Sequence, residues 1–244
     1  MVTDRSPVRY DYLSRRLLTS VVQQDEAAMP RSKWSLDLNP LKMVGLSRER
    51  KPPDYDNLYD LAMRSTDAVQ DQSGTIDSPW AYYIRGRLDL HHGVFSPHMG
   101  WNGHVACYRG ETTTTDGEPV FIALFGSASN LIGWQLKDEP PPTYTPSDMP
   151  GLYLFLDAIR EAGDPEVEVM RRTDDYGMSD QGRVESALQH AKGGARTDIG
   201  PRDFLATVLI REEEFKSRAA DFEGRVLICA PLWIATPLPR PLSS

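Results

Sequence analysis

Between Arg225 and Thr236 the chain runs for ten residues, Val226 to Ala235, with no charged side chain and no side-chain amide. A membrane-spanning helix needs about 20 such residues, so this segment is too short to be one. Val226, Ile228 and Ile234 are β-branched, and a short apolar run of that kind reads as a buried strand. A strand this apolar has to be inserted beside earlier strands, so the C-terminal part of the chain is expected to belong to the same domain as the rest. Pro237, Pro239 and Pro241 follow. They lack ladder donors and predict a stiff tail over 237–244 that does not pair.

The centre of the chain is also β-rich. Trp80–His92, His104–Arg109 and Glu118–Phe125 read as three successive strands. Asp116-Gly117 is a hairpin signal between the last two, in a loop longer than two residues. Val8–Leu13 alternates aromatic and polar residues and reads as an opening strand. Ser14 is placed to cap the helix after it, whose stripe is Leu17, Leu18, Val21 and Val22. An irregular strand or strand pair is expected over Trp34–Leu46. Pro52-Pro53-Asp54 signals the next helix, with Tyr55, Leu58, Tyr59, Ala62, Ala68 and Val69 as its stripe.

Helices are further expected over Gly151–Ala162, from a Ser179 cap to Lys192 before Gly193-Gly194, and from Pro201 through Phe215. The proline-rich segment from Pro140 to Pro150 is the one rival boundary. The expected architecture is a single α+β domain over 1–244, a mostly antiparallel sheet with about five helices packed on it.

Composition narrows the partners. The net charge is −8 and the pI about 5.2. Neutralising phosphates needs a basic surface, and no Lys/Arg run exceeds two residues, so general nucleic-acid binding is not expected, while a local basic patch stays open. No apolar stretch reaches spanning length, and Met1–Val8 lacks an apolar signal core, so the expectation is a cytoplasmic protein without a membrane partner. Cys107 and Cys229 fall inside predicted strands and read as small core residues in a reducing compartment.

The densest set of polar and aromatic side chains lies between Trp80 and Tyr108. It holds His91, His92, His98 and His104, four of the chain's five histidines. On one strand face Arg85, Arg87, Asp89 and His91 align. Asp89 and His91 could serve as an acid/base pair, with Arg85 or Arg87 clamping an anion and Trp80 and Trp101 as walls. The same row also fits an exposed face held by cross-strand ion pairs. Asp89, His91, His98 and His104 match no standard zinc spacing, so neither metal nor cofactor is expected. Gly126-Ser127-Ala128-Ser129 lacks the second glycine of a nucleophile elbow. It fits better a packing or anion-binding turn, with Ser127 and Asn130 as ligand candidates. Neither GxxxxGK[ST] nor a GxGxxG after a strand occurs, so nucleotide chemistry has no support.

The order of short motifs resembles an uncharacterised, mainly actinobacterial family of unknown function. The blocks are Tyr10-Asp11-Tyr12-Leu13-Ser14 through Gln23-Gln24; Thr75-Ile76-Asp77-Ser78-Pro79 with Tyr83 and Arg85-Gly86-Arg87-Leu88; and Leu124-Phe125-Gly126-Ser127 with Leu131-Ile132-Gly133. Asp203-Phe204-Leu205-Ala206 and Val226–Ala235 complete the set. The resemblance spans most of the chain and implies a compact bacterial cytoplasmic domain without an assigned activity. In that pattern glycine is common where this chain has Phe125, and histidine where it has Asn130.

Two functions compete on this reading. The first is a regulatory protein of a bacterial signalling, defence or metabolic context that binds a small molecule or a protein partner, with homo-oligomer formation open. The second is a metal-independent enzyme of isomerase, cyclase or hydrolase type that acts on a hydrophobic metabolite through Asp89 and His91.

Overall fold

The computed structural model describes residues 8–28, 53–95, 104–134, 146, 148–163, 180–217 and 221–237. Seven strands, β1 (Val8–Leu13), β2 (Ser73–Gly74), β3 (Tyr83–Phe95), β4 (Val105–Thr113), β5 (Pro119–Ser127), β6 (Thr197–Ser217) and β7 (Phe222–Pro237), share one sheet. The helices are α1 (Arg15–Ala28), α2 (Leu58–Ala68), α3 (Met149–Gly163) and α4 (Asp180–Gly194). The fold is α+β and rich in strand.

The pairings close on themselves. β3 pairs β4, β4 pairs β5, β5 pairs β7, β7 pairs β6, and β6 returns to β3. Most pairs are antiparallel; β5–β7 and β2–β3 are parallel. β1 extends the ring by pairing with the end of β7. The β4–β5 hairpin turns where the Asp-Gly signal lies: Gly117 has φ +85°, its N–H bonds to Thr114 O at 3.0 Å, and Thr114 N–H bonds to Glu118 O at 2.8 Å.

Residues opposite each other in the ladder share a face, which sorts the core. Tyr108 faces Leu124, Ile122 faces Leu227, Ile84 faces Ala206 and Phe204 faces Ile234. All eight belong to the apolar cluster that fills the ring. The opposite faces meet helices. α3 and α4 lay Leu152, Phe155, Val184 and Leu188 over Phe121, Phe125 and Ile228. α1 and α2 lay Leu18, Val22 and Leu61 over Leu205, Leu232 and Tyr83. The segment 225–236 is a buried strand with β5 and β1 along one edge and β6 along the other.

Four expectations change. The helix predicted from Pro201 is strand β6, so four α-helices, not five, occur among the described residues. Phe204, Leu205, Val208 and Leu209 are spaced as a helical stripe, but the β-branched Thr207, Val208 and Ile210 suit a strand, and ladders with β3 and β7 on both edges decide the matter. α2 starts at Leu58, not at the prolines, because the Asn57 side chain accepts from Tyr59 N and Asp60 N. Its core face holds Leu61, while Tyr59, expected in the stripe, is 54% exposed. Pro237 stands opposite Val8 at the end of β7 rather than in an unpaired tail. The expected Trp34–Leu46 strands, Ser179, Pro239 and Pro241 lie outside the described residues. Cys107 and Cys229 are free and buried, one under α3 and α4 and the other inside the ring.

Candidate functional site

One end of the ring collects polar side chains. β1 brings Tyr12 into the interior, where it is fully buried. Its hydroxyl accepts from Asn130 Nδ2 at 3.1 Å, and its ring stands edge-on to Tyr108 with centroids 6.2 Å apart. Burial pushes the Tyr12 phenol up to about 12 and Tyr108 well above the ordinary tyrosine value. Gly126 makes room for Tyr12, since a Cβ there would lie well inside contact distance of the hydroxyl oxygen and 2.8 Å from Cζ.

Asp11, the neighbouring residue of β1, is the hub of this end. Its carboxylate accepts from Arg202 Nε at 2.8 Å and from Thr236 Oγ1 at 2.7 Å, with Arg9 Nη2 3.7 Å from the other oxygen. Arg202 also donates to the Ile199 and Pro201 carbonyls. The Asp11 carbonyl accepts from Ile132 N at 3.0 Å, which hangs the turn after β5 on β1. That turn opens with a 3₁₀ segment, Ala128–Asn130. Ser127 caps it, accepting from Ser129 N at 3.3 Å, with its hydroxyl 2.7 Å from Ser129 Oγ. Ile132 and Trp134 at its end are exposed.

His92 completes the group. It lies opposite Tyr108 in the ladder, the two rings are 4.6 Å apart, and Nε2 is buried without a hydrogen-bond partner. Burial holds its imidazole below the ordinary histidine range, against the charge of Asp11. Such a group presents a half-buried neutral imidazole and a partly exposed ion pair beside two fully buried phenols.

The residues expected from sequence divide. Ser127 and Asn130 stand at this end, and Ser127 spends its hydroxyl on its own turn. Arg85, Arg87 and Asp89 are exposed on the outer wall of β3. Arg87 forms a bidentate pair with Asp203, opposite it in the ladder, at 2.6 and 2.9 Å. His91 is half-buried on that wall, opposite Arg109 and Asp198, where a bulge in β6 follows Leu90. Trp80 is 78% exposed in the loop before β3. Trp101 and His98 lie outside the described residues. Asp11, Tyr12, Tyr108 and Arg202 are not site candidates on sequence, and His92 stands out there only as one of the clustered histidines. Two signals mark Asp11 and Tyr12: a lone carboxylate inside an aromatic strand, and Gly126 closing an apolar strand, which marks a close approach.

The opposite end of the ring is closed by the 75–81 loop. Arg211 donates to Ser78 O at 2.5 Å and Ala81 O at 3.1 Å. Arg225 reaches Ile76 O and Glu118 Oε2, each at 3.0 Å. A surface cleft of about 490 Å³ lies elsewhere, lined by Arg15, Asp54, Asp56, Asn57, Leu58 and Tyr59. Among the described residues no group of three or more His, Cys, Asp or Glu side chains could hold a metal ion, and no helix is long and apolar enough to cross a membrane.

Two measurements separate the two regions. Because the Arg87–Asp203 pair is exposed, Arg87→Ala should change unfolding free energy by less than about 1 kcal/mol, read by denaturant titration. Tyr12 behaves differently. Its folded pKa of about 12 lies above the ordinary 10.0, so its contribution is whole below pH 10 and is lost as pH rises to about 12. Tyr12→Phe should remove on the order of 2–3 kcal/mol of that alkaline loss, seen as a flatter stability profile than the parent's over this interval.

None of the curated proteins and none of the solved structures compared matches the chain. The model of a family of unknown function, DUF7019, matches residues 9–237, which includes every strand and helix described above except Val8 at the start of β1. This chain is therefore a member of that family.

Proposed function

We propose that the chain is a small-molecule-binding protein whose ligand sits at the Asp11–His92 end of the ring. The observation that carries this is the concentration of partly buried polar groups at one end of an otherwise apolar interior, one of them a buried nitrogen with no partner. Ligand sites commonly combine an apolar lining with a few fixed polar groups. Exposed Ile132 and Trp134 supply an apolar rim beside them. Two free, buried thiols fit a reducing cytoplasm. Native mass spectrometry of protein purified from its own host tests this. A stoichiometric small-molecule adduct is expected in the wild type and should be lost in Trp134→Ala. A bare mass for the wild type overturns the reading.

A second reading, a metal-independent acid/base enzyme, is favoured by the same His92 nitrogen and the nearby Asp11 charge rather than by the outer-wall row. It separates from the first by turnover: a bound molecule recovered chemically altered, and unaltered from His92→Phe, supports the enzyme.

A further inference from the structure

We propose that the ligand of this end is an amphipathic oxyanion, a flat apolar body carrying one carboxylate or phosphate group, with its charge between Arg202 and Arg9 and its body on Ile132 and Trp134. This rests on the ligand reading above and names the class of molecule that the site takes.

The strand register sets the two arginines on one face. Arg9 stands opposite Thr236, and Asp203 opposite Ala235. One residue before Asp203, Arg202 therefore falls in the same cross-strand row as Thr236 and Arg9, and side chains in such a row share a face. Arg202 also stands opposite Leu88, which packs on the interior cluster. The row thus belongs to the mouth of the ring, while the Arg87–Asp203 pair, one step out of phase, lies on the outer wall. The Asp11 carboxylate reaches this row: it takes Arg202 Nε at 2.8 Å and Thr236 Oγ1 at 2.7 Å, with Arg9 Nη2 at 3.7 Å.

Arg202 is held in place on two of its three nitrogens. Nε is on Asp11, and Nη1 is on the Ile199 and Pro201 carbonyls. Nη2 has no hydrogen-bond partner among the described residues, so its two N–H groups are left for a ligand. The side chain is only 14% exposed, and an acceptor placed there gains charge-assisted bonds with little competition from water. Charge points the same way. Two guanidiniums face one carboxylate, whose Oδ2 already carries two donors. The next acids along β6 are engaged elsewhere: Asp203 by Arg87, and Asp198 by Gly200 N at 2.8 Å. The surplus positive charge lies beside the turn that Ile132 N ties to the Asp11 carbonyl, and that turn exposes Ile132 and Trp134. A neutral apolar ligand seated here would bury Nη2 unpaired, which is costly.

Fluorescence titration of the full chain with two probes of one shape tests this. Anilinonaphthalene sulfonate carries the anion, and N-phenylnaphthylamine is the same body without it. The sulfonate should bind about tenfold more tightly, the worth of a charge-assisted hydrogen bond. Arg9→Ala, at a side chain 69% exposed, should remove most of that preference. Arg202→Lys, which keeps the charge and loses the fork, should do the same; should it not fold, Arg9→Ala carries the test alone. Neither change should alter affinity for the neutral probe, and Trp134→Ala should weaken both probes. No binding of the sulfonate, equal affinity for the two probes, or a preference untouched by Arg9→Ala overturns the anion site. The two readings fail differently. Equal affinities that both fall in Trp134→Ala leave the ligand site standing without its charge preference. Affinities that Trp134→Ala leaves unchanged remove the site, and this inference with it.

Discussion

Replacing Gly126 with alanine should cost about 3 kcal/mol, the upper part of the usual range for overpacking, and lower the melting temperature by roughly 6–12 °C for a chain of this size. The added methyl would enter the space of the Tyr12 hydroxyl, with Cζ 2.8 Å away and Cε2 3.3 Å away. Tyr12 has nowhere to go: it is fully buried against Tyr108 and held by Asn130. Tyr12→Phe alone should cost about 1–2 kcal/mol, because it leaves the Asn130 amide without that acceptor. Combined, the two changes should cost less than their sum by at least about 1 kcal/mol, since removing the hydroxyl removes the worst overlap. Denaturant unfolding of the four proteins supplies the cycle. Additivity within about 0.5 kcal/mol would mean that the methyl and the hydroxyl do not compete for this space.

That cycle joins two segments the sequence presents more than a hundred residues apart, and it marks where sequence reading stops. The strands at the centre and the C-terminus are legible because alternation and apolar runs are local properties; β3, β4, β5 and β7 all lie within a few residues of their predicted bounds. β6 is not, because Phe204, Leu205, Val208 and Leu209 satisfy a helical stripe as well as a strand. What decides between them is the ladder on each edge, a property of β3 and β7 rather than of residues 197–217. Closure of the ring is hidden for the same reason. It depends on β6 pairing with both strands, and no local pattern reports partners.

The site follows the same logic. Asp89 and His91 were prominent because charged and imidazole groups cluster in sequence there, yet alternation turns Arg85, Arg87 and Asp89 outward and sends the less conspicuous His92 inward. Asp11 and Arg202 are ordinary residues until the ring brings them within 2.8 Å. The motifs Tyr10–Ser14 and Gly126–Asn130 lie far apart in sequence; only the β1 register, with Tyr12 bridging to Leu131, shows that they form one contact.

The same reasoning about bare backbone predicts a large effect on the outer wall. Gly93→Ala should destabilise the chain by about 3–4 kcal/mol, at or above the usual ceiling for overpacking, because a Cβ there meets backbone rather than a side chain that can turn aside. Its nearest neighbours would be the Gly194 carbonyl oxygen and, at 2.8 Å, the carbonyl carbon, with Ala195 Cα at 3.2 Å. Gly93 lies opposite Cys107 on the face covered by α4, so the end of that helix rests directly on β3. Pushing it away strains the Arg109 Nε bond to Ala195 O, now 2.9 Å, and lifts Leu188 and Ala191 from the outer core. Two readouts are needed. Unfolding free energy gives the size, and amide exchange should show α4 losing protection before the ring strands do. A cost below about 1 kcal/mol, the level of an ordinary substitution, would mean that α4 can slide off β3 without penalty. The outer layer would then be a loosely attached cover, and the ring alone would carry the stability.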